Sequence, residues 1–224
     1  MKRTLQVLSE LERRGVIERY AIGGAMGATF YVEPLLTFDL DVFVILPQSV
    51  AGLLSLAPLY EALRARGYTE EGECVLIEGV PVQFLPAYNL LLEEALREAR
   101  ETPYEDVSTR VVRAEHLIAI CLQTGRDKDR EPCAYLSRAS GTRQGASGQR
   151  APAPRSGEKM ETMDPVKPEI ARLFAAKEAR RRKLAALPFP EKVRAVVRLQ
   201  EMAAPILRAR RRKVRVWPLD PGVA

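Results

Sequence analysis

Histidine is nearly absent from this chain, with one in 224 residues, and tryptophan also occurs once. A lone histidine excludes histidine-rich metal centres. The three cysteines, Cys74, Cys121 and Cys133, are odd in number and have no paired metal spacing. A disulfide framework and a zinc ribbon are therefore not expected, and the thiols read as reduced bystanders. No apolar run reaches the ~18 to 20 residues a membrane span needs. The N-terminal stretch MKRTLQVLSELERRG is charged and amphipathic, with no signal-peptide core after it. A cytoplasmic protein without a membrane partner is expected.

Hydrophobic residues make up 46% of the chain, enough for a globular core. The net charge of +6 is unevenly spread. From Lys159 onward there are 17 Lys and Arg against 7 Asp and Glu, so the basic character belongs to the tail and the rest is net acidic.

Leu5, Leu8 and Leu11 recur at helical spacing ahead of Gly15. VIERYAI reads as a first strand, AMGATFYV as a short helix, and TFDLDVFVIL as a strand of about eight residues stopped by Pro47. Residues 51–66 carry a leucine stripe and read as a helix. ECVLIEGVPVQFLPA reads as two strands turning at Glu78-Gly79. NLLLEEALREAR is a helix, DVSTRVV a strand, and AEHLIAICLQTG a helix in which His116 is expected as a packed residue. The fold class is α+β: a small mixed β-sheet flanked by helices over residues 1–130.

Residues 131–163 form a linker, and within it SRASGTRQGASGQRAPAPRSGEK has no apolar periodicity and is expected to be disordered. Its composition matches either an ordinary flexible linker or a GC-rich gene read out of frame. In the second case, the domain would have lost its own C-terminal helices and been fused to a neighbouring reading frame. Residues 164–216 then read as a basic α-hairpin broken at LPFP. It is too small to stand without a partner surface.

Two aspartates, Asp39 and Asp41, sit one residue apart in an otherwise apolar strand. Alternation puts them on one face, roughly 6.5 to 7 Å apart. Carboxylates that close each favour protonation of the other unless a cation lies between them. Mg²⁺ takes such hard oxygen ligands together with substrate phosphates, and two such ions can clamp both oxygens of a phosphoryl transfer. Upstream, Gly23 and Gly24 allow close backbone approach at a helix N-terminus, a natural phosphate site. On an edge strand, an acidic pair can instead simply discourage aggregation.

The combination IGGAMGATFY…TFDLDVFV resembles the signature of the nucleotidyltransferase fold of the DNA polymerase β superfamily. It is most similar to small bacterial proteins of the AbiEii abortive-infection type, over residues 15 to about 130. EHLIAICLQTGRDKDR is similar to their later helix and its Arg/Lys-Asp cluster. The resemblance implies Mg²⁺ held by Asp39 and Asp41, and a nucleoside triphosphate cradled by Gly23 and Gly24. Thr37 would shape the entry to the metal strand and Lys128 would supply a charge. It implies transfer of a nucleoside monophosphate to an RNA or protein hydroxyl, within a toxin–antitoxin pair whose other member is a small antitoxin-like partner. Where the family carries a third carboxylate this chain has Gln83, and where it often carries a lysine this chain has Cys121. An amide is neither an anionic ligand nor a base. A catalytically degenerate protein that binds nucleotide or partner is therefore the alternative. A second alternative is nucleic-acid binding through the runs RRRK at 180–183 and RARRRK at 208–213, with Trp217 available to stack on a base.

Overall fold

The computed structural model describes residues 1–47, 55–125, 136 and 168–219. The linker, apart from Leu136, and the cluster Arg126, Lys128 and Asp129 lie outside these residues. The fold is α+β, as the periodicities predict. Seven strands form one mixed sheet: β1 (Arg19–Ile22), β2 (Leu40–Ile45), β3 (Thr69–Glu71), β4 (Cys74–Ile77), β5 (Val80–Pro86), β6 (Arg100–Tyr104) and β7 (Val107–Val111). Their order is β3-β4-β5-β2-β1-β7-β6. β2 lies at the centre, antiparallel to β1 and parallel to β5. Glu78 and Gly79 both adopt positive φ, 51° and 83°. That is the two-residue hairpin geometry expected between β4 and β5.

Five helices interleave with the strands: α1 (Lys2–Arg13), α2 (Gly24–Tyr31), α3 (Ala57–Arg64), α4 (Leu90–Arg97) and α5 (Ala114–Thr124). Two more, α6 (Pro168–Ala185) and α7 (Phe189–Ala209), form the C-terminal hairpin. The side-chain period of two divides β2 between two cores. Leu40, Val42 and Val44 face a cluster with α1, while Phe43 faces a cluster with α4 and α5. Among the described residues no helix is long and apolar enough to cross a membrane.

The partner surface that the hairpin needs is the sheet domain itself. Phe189, Val193, Val196, Val197 and Trp217 belong to the same core cluster as Leu40, Val42 and Val82. Phe189 meets Phe30 and Tyr104 edge to face, with ring centroids 5.6 and 6.0 Å away. α7 runs through Pro205 to Ala209. Trp217 is 2% exposed, and its indole N–H donates to the Phe38 carbonyl at 3.1 Å. It is a core residue and presents no face to a base, which corrects the stacking role expected of it. A helix from an unrelated reading frame would carry no complementarity to this core. The fusion reading therefore does not extend to residues 189–217.

Three buried polar contacts fasten α7. Gln200 donates to the Thr37 carbonyl at 2.6 Å and accepts from the Trp217 backbone at 2.9 Å. Lys192, 1% exposed, donates to the Phe30 carbonyl at 2.6 Å. Replacing Trp217 by Ala should cost roughly 3 to 5 kcal/mol, the range for large buried aromatics, measured by urea denaturation. Burial pushes the Lys192 ammonium down from 10.5 to about 8. Unfolding restores the higher value, so above pH 8 the unfolded chain binds more protons and stability rises with pH. The Cys74 thiol, pushed up from 9.0 to about 11 chiefly by burial, opposes this above pH 9. Melting temperature should therefore climb between pH 8 and 9 in the native chain and stay flat in Lys192→Met.

Candidate functional site

The diglycine bend and the acidic strand meet. The Gly23 N–H donates to the Asp41 carbonyl at 2.9 Å, tying the start of α2 to β2. Gly24 has φ +53°, and a β-carbon there would overlap the Asp41 carboxylate. A β-carbon on Gly23 would overlap the Phe43 ring. Only bare backbone fits between the helix start and the strand. Helix geometry leaves the first N–H groups of α2 without intrahelical acceptors, beside that carboxylate.

Asp39 sits one residue before β2, so the regular strand begins later than the sequence suggests. The Thr37 hydroxyl donates to its Oδ1 at 2.7 Å, and this fixes the side chain. Thr37 is itself held from behind by Gln200. The pair therefore stands on two supports, α2 at Asp41 and α7 at Asp39. Burial is the largest cause of the raised Cys74 pKa, followed by the negative fields of Asp39, Asp41 and Glu73. Glu71 adds to the same field, so carboxylates at the mouth of β2 and beside the β3–β4 turn both act on this thiol.

Gln83 on β5 pairs in register with Asp41. Its amide Nε2 donates to the Glu73 carboxylate at 3.0 Å. Gln83 thus holds a carboxylate from the β3–β4 turn. Sequence reasoning placed no role on Glu73, because the turn that delivers it is visible only once β4 is paired with β5.

Two openings flank the pair. A cleft of about 1080 Å³ is lined by Asp39, Glu71, Cys74 and the segment Arg208 to Arg215. A smaller cavity, about 170 Å³, is lined by Gly24, Asp41 and Gln83 together with apolar groups such as Phe43, Leu85 and Leu117. Asp39, Asp41, Thr37, Gly23 and Gly24 are thus brought together around the mouth of β2, while Lys128 lies outside the described residues. Apart from this site, Glu94, Glu98 and His116 bring ligand atoms within 4.8 Å of one another. Glu98 pairs there with Arg113 at 3.4 Å and Glu94 with His116 at 3.5 Å.

The donor set at the mouth of β2 fits a hard divalent cation: carboxylate oxygens, one of them oriented by a hydroxyl, with no imidazole. No protein-family model matches the chain, and no curated protein matches it.

Gly24→Ala should test the close contact directly. The left-handed conformation alone costs roughly 1 to 2 kcal/mol for a residue with a β-carbon. The displaced Asp41 carboxylate should weaken Mg²⁺ and nucleotide binding at least tenfold in calorimetric titration. Gly15 also has a positive φ, +71°, but with open space around it, and Gly15→Ala is the control. It should lose comparable stability and no binding.

Proposed function

We propose that the protein is a Mg²⁺-dependent nucleotidyltransferase of the DNA polymerase β type, acting in the cytoplasm. The observation that carries this reading is the seating of the Asp41 carboxylate on the Gly24 backbone. It brings a phosphate-cradling helix start and a metal-binding strand to one point. Asp39 and Asp41 hold the cation. When bound, the cation would supply charge neutralisation on the triphosphate and polarise it toward attack. The Gly23–Gly24 bend brings the first free N–H groups of α2 to the β- and γ-phosphates, the Gly23 N–H itself being held by the Asp41 carbonyl, and Thr37 keeps Asp39 turned toward the site.

An acceptor hydroxyl oxygen bonds to the α-phosphorus as the bond to the leaving pyrophosphate breaks. The hydroxyl proton passes to the carboxylate of Glu73, which Gln83 positions. A small antitoxin-like protein that covers the cleft would silence such an enzyme. The second reading, binding without turnover, is favoured by Gln83 standing in register with Asp41 in place of an acid.

Incubation with α-labelled triphosphates, Mg²⁺ and a total RNA and protein pool tests both readings. Label should pass to an acceptor and should vanish in Asp39→Asn and Asp41→Asn. Glu73→Gln should keep nucleotide binding and lose about 10²- to 10⁴-fold in rate, the range for a general base. Nucleotide bound by the native chain with no transfer to any acceptor would establish the second reading.

A further inference from the structure

The large cleft has an acidic floor and a basic wall. The wall is the segment after α7, which turns back along the cleft. Arg208 donates to the Val214 carbonyl at 3.2 Å, closing this turn on itself. Arg215 pairs with Glu71 at 2.8 Å on the opposite rim. Trp217 anchors the far end in the core, and Pro218 packs over Gly79. The wall is therefore held in place before any ligand arrives, which lowers the entropy cost of binding.

Arg211, Arg212 and Lys213 line the cleft between these fixed points, and all three are exposed. Among the described residues their side chains have no hydrogen bond or ion pair. Three adjacent cations repel one another, and among the described residues no ion pair is closed onto any of them. Arg211 also adopts φ +59° just past the end of α7, where the chain bonds back from Arg212 N–H to the Leu207 carbonyl at 3.0 Å. Glycine is the residue that relieves this helix-ending geometry. Arginine therefore holds a position that glycine would occupy with less strain, and its side chain lines the cleft.

The cleft, at about 1080 Å³, is as large as the upper end of the ~300 to 1,000 Å³ typical of small-molecule pockets, and it is open along one side. A triphosphate seated on α2 would leave the basic wall uncovered. We propose that Arg211, Arg212 and Lys213 bind the phosphodiester backbone of a single-stranded nucleic acid, so that its terminal hydroxyl lies beside Asp39. The proposal rests on the nucleotidyltransferase reading for the role of that hydroxyl and names the acceptor class. Binding of the strand itself stands on the wall alone. No peptide or membrane is required, because the array is a narrow file of cations inside a cleft and not a broad exposed patch.

Fluorescence anisotropy of the full chain with labelled U12 RNA and T12 DNA, across a salt series, tests the proposal. Single strands release counterions with a slope of about −0.7 per phosphate contacted. Replacing Arg211, Arg212 and Lys213 by Ala should therefore flatten the log–log salt slope by about 2 and weaken binding on the order of 50-fold at 150 mM salt. Mg²⁺–ATP affinity should stay as in the native chain. Preference for U12 over T12 would assign the strand as RNA, and the reverse as DNA; both support the wall as a strand site. Arg211→Gly separates folding from binding: its melting temperature should hold or rise while strand affinity falls.

Strand affinity unchanged in either variant would overturn the proposal. Loss of Mg²⁺–ATP affinity in the triple variant, with strand binding intact, would do the same by assigning the wall to the triphosphate. Asp39→Asn separates this proposal from the enzymatic one. Strand binding that persists in that variant, with no transfer in the native chain, removes the transferase reading and leaves the strand site standing.

Discussion

A carboxylate resting on a glycine backbone sets the geometry of everything near the site. Asp41 occupies the volume a side chain at position 24 would fill. The Asp41 carbonyl meanwhile accepts from Gly23. Strand and helix start are thereby locked in both distance and orientation. The parallel register of β2 with β5 carries the constraint sideways to Gln83, and Gln83 carries it to Glu73. Without the bare backbone at position 24, the carboxylate would swing away and the chain of contacts behind it would lose its origin.

The other end of the site depends on residues more than 160 positions later. The carbonyls of Thr37 and Phe38 precede β2 and lie outside its ladder with β1 and β5. An unpaired buried carbonyl costs about 1 to 3 kcal/mol. Gln200 and the Trp217 indole supply the missing donors. The segment that orients Asp39 is thus satisfied by the C-terminal hairpin, and folding of that hairpin completes the site. The basic wall and the acidic floor of the cleft are parts of one cooperative unit.

The elements that build a face were legible in the sequence. Leu5, Leu8 and Leu11 predicted α1 and all three are fully buried. The alternation in TFDLDVFVIL predicted a strand, and Glu78-Gly79 predicted its hairpin neighbour. The sequence extends the helix NLLLEEALREAR to Arg100 and assigns no element to residues 101–104, whereas Arg100–Tyr104 is β6, with only Thr102 and Tyr104 of its side chains buried. β3 left no signal, since all three of its residues are exposed. The destination of the tail was illegible for a different reason. Lys192 and Gln200 look like the polar side of a surface helix, yet both are buried by partners far away in sequence. Local periodicity records which residues avoid water. It does not record which distant carbonyl waits for a donor.

Opposite charges in one cleft collapse onto each other unless the backbone holds them apart. Here one such pair has closed, Arg215 with Glu71, and it sits at the rim. Deeper in, Asp39 is oriented by a hydroxyl, and the file from Arg211 to Lys213 is held out by the turn that Arg208 closes. Exposed ion pairs contribute at most ~1 kcal/mol, so closing more of them would stabilise the fold little. Keeping them open preserves a field gradient, positive at the wall and negative at the floor. A ligand with its own paired charges, an anionic strand beside a metal-bound triphosphate, is the kind of object such a gradient orients. The scaffold therefore forgoes small local stabilisation at the positions where charge is left available.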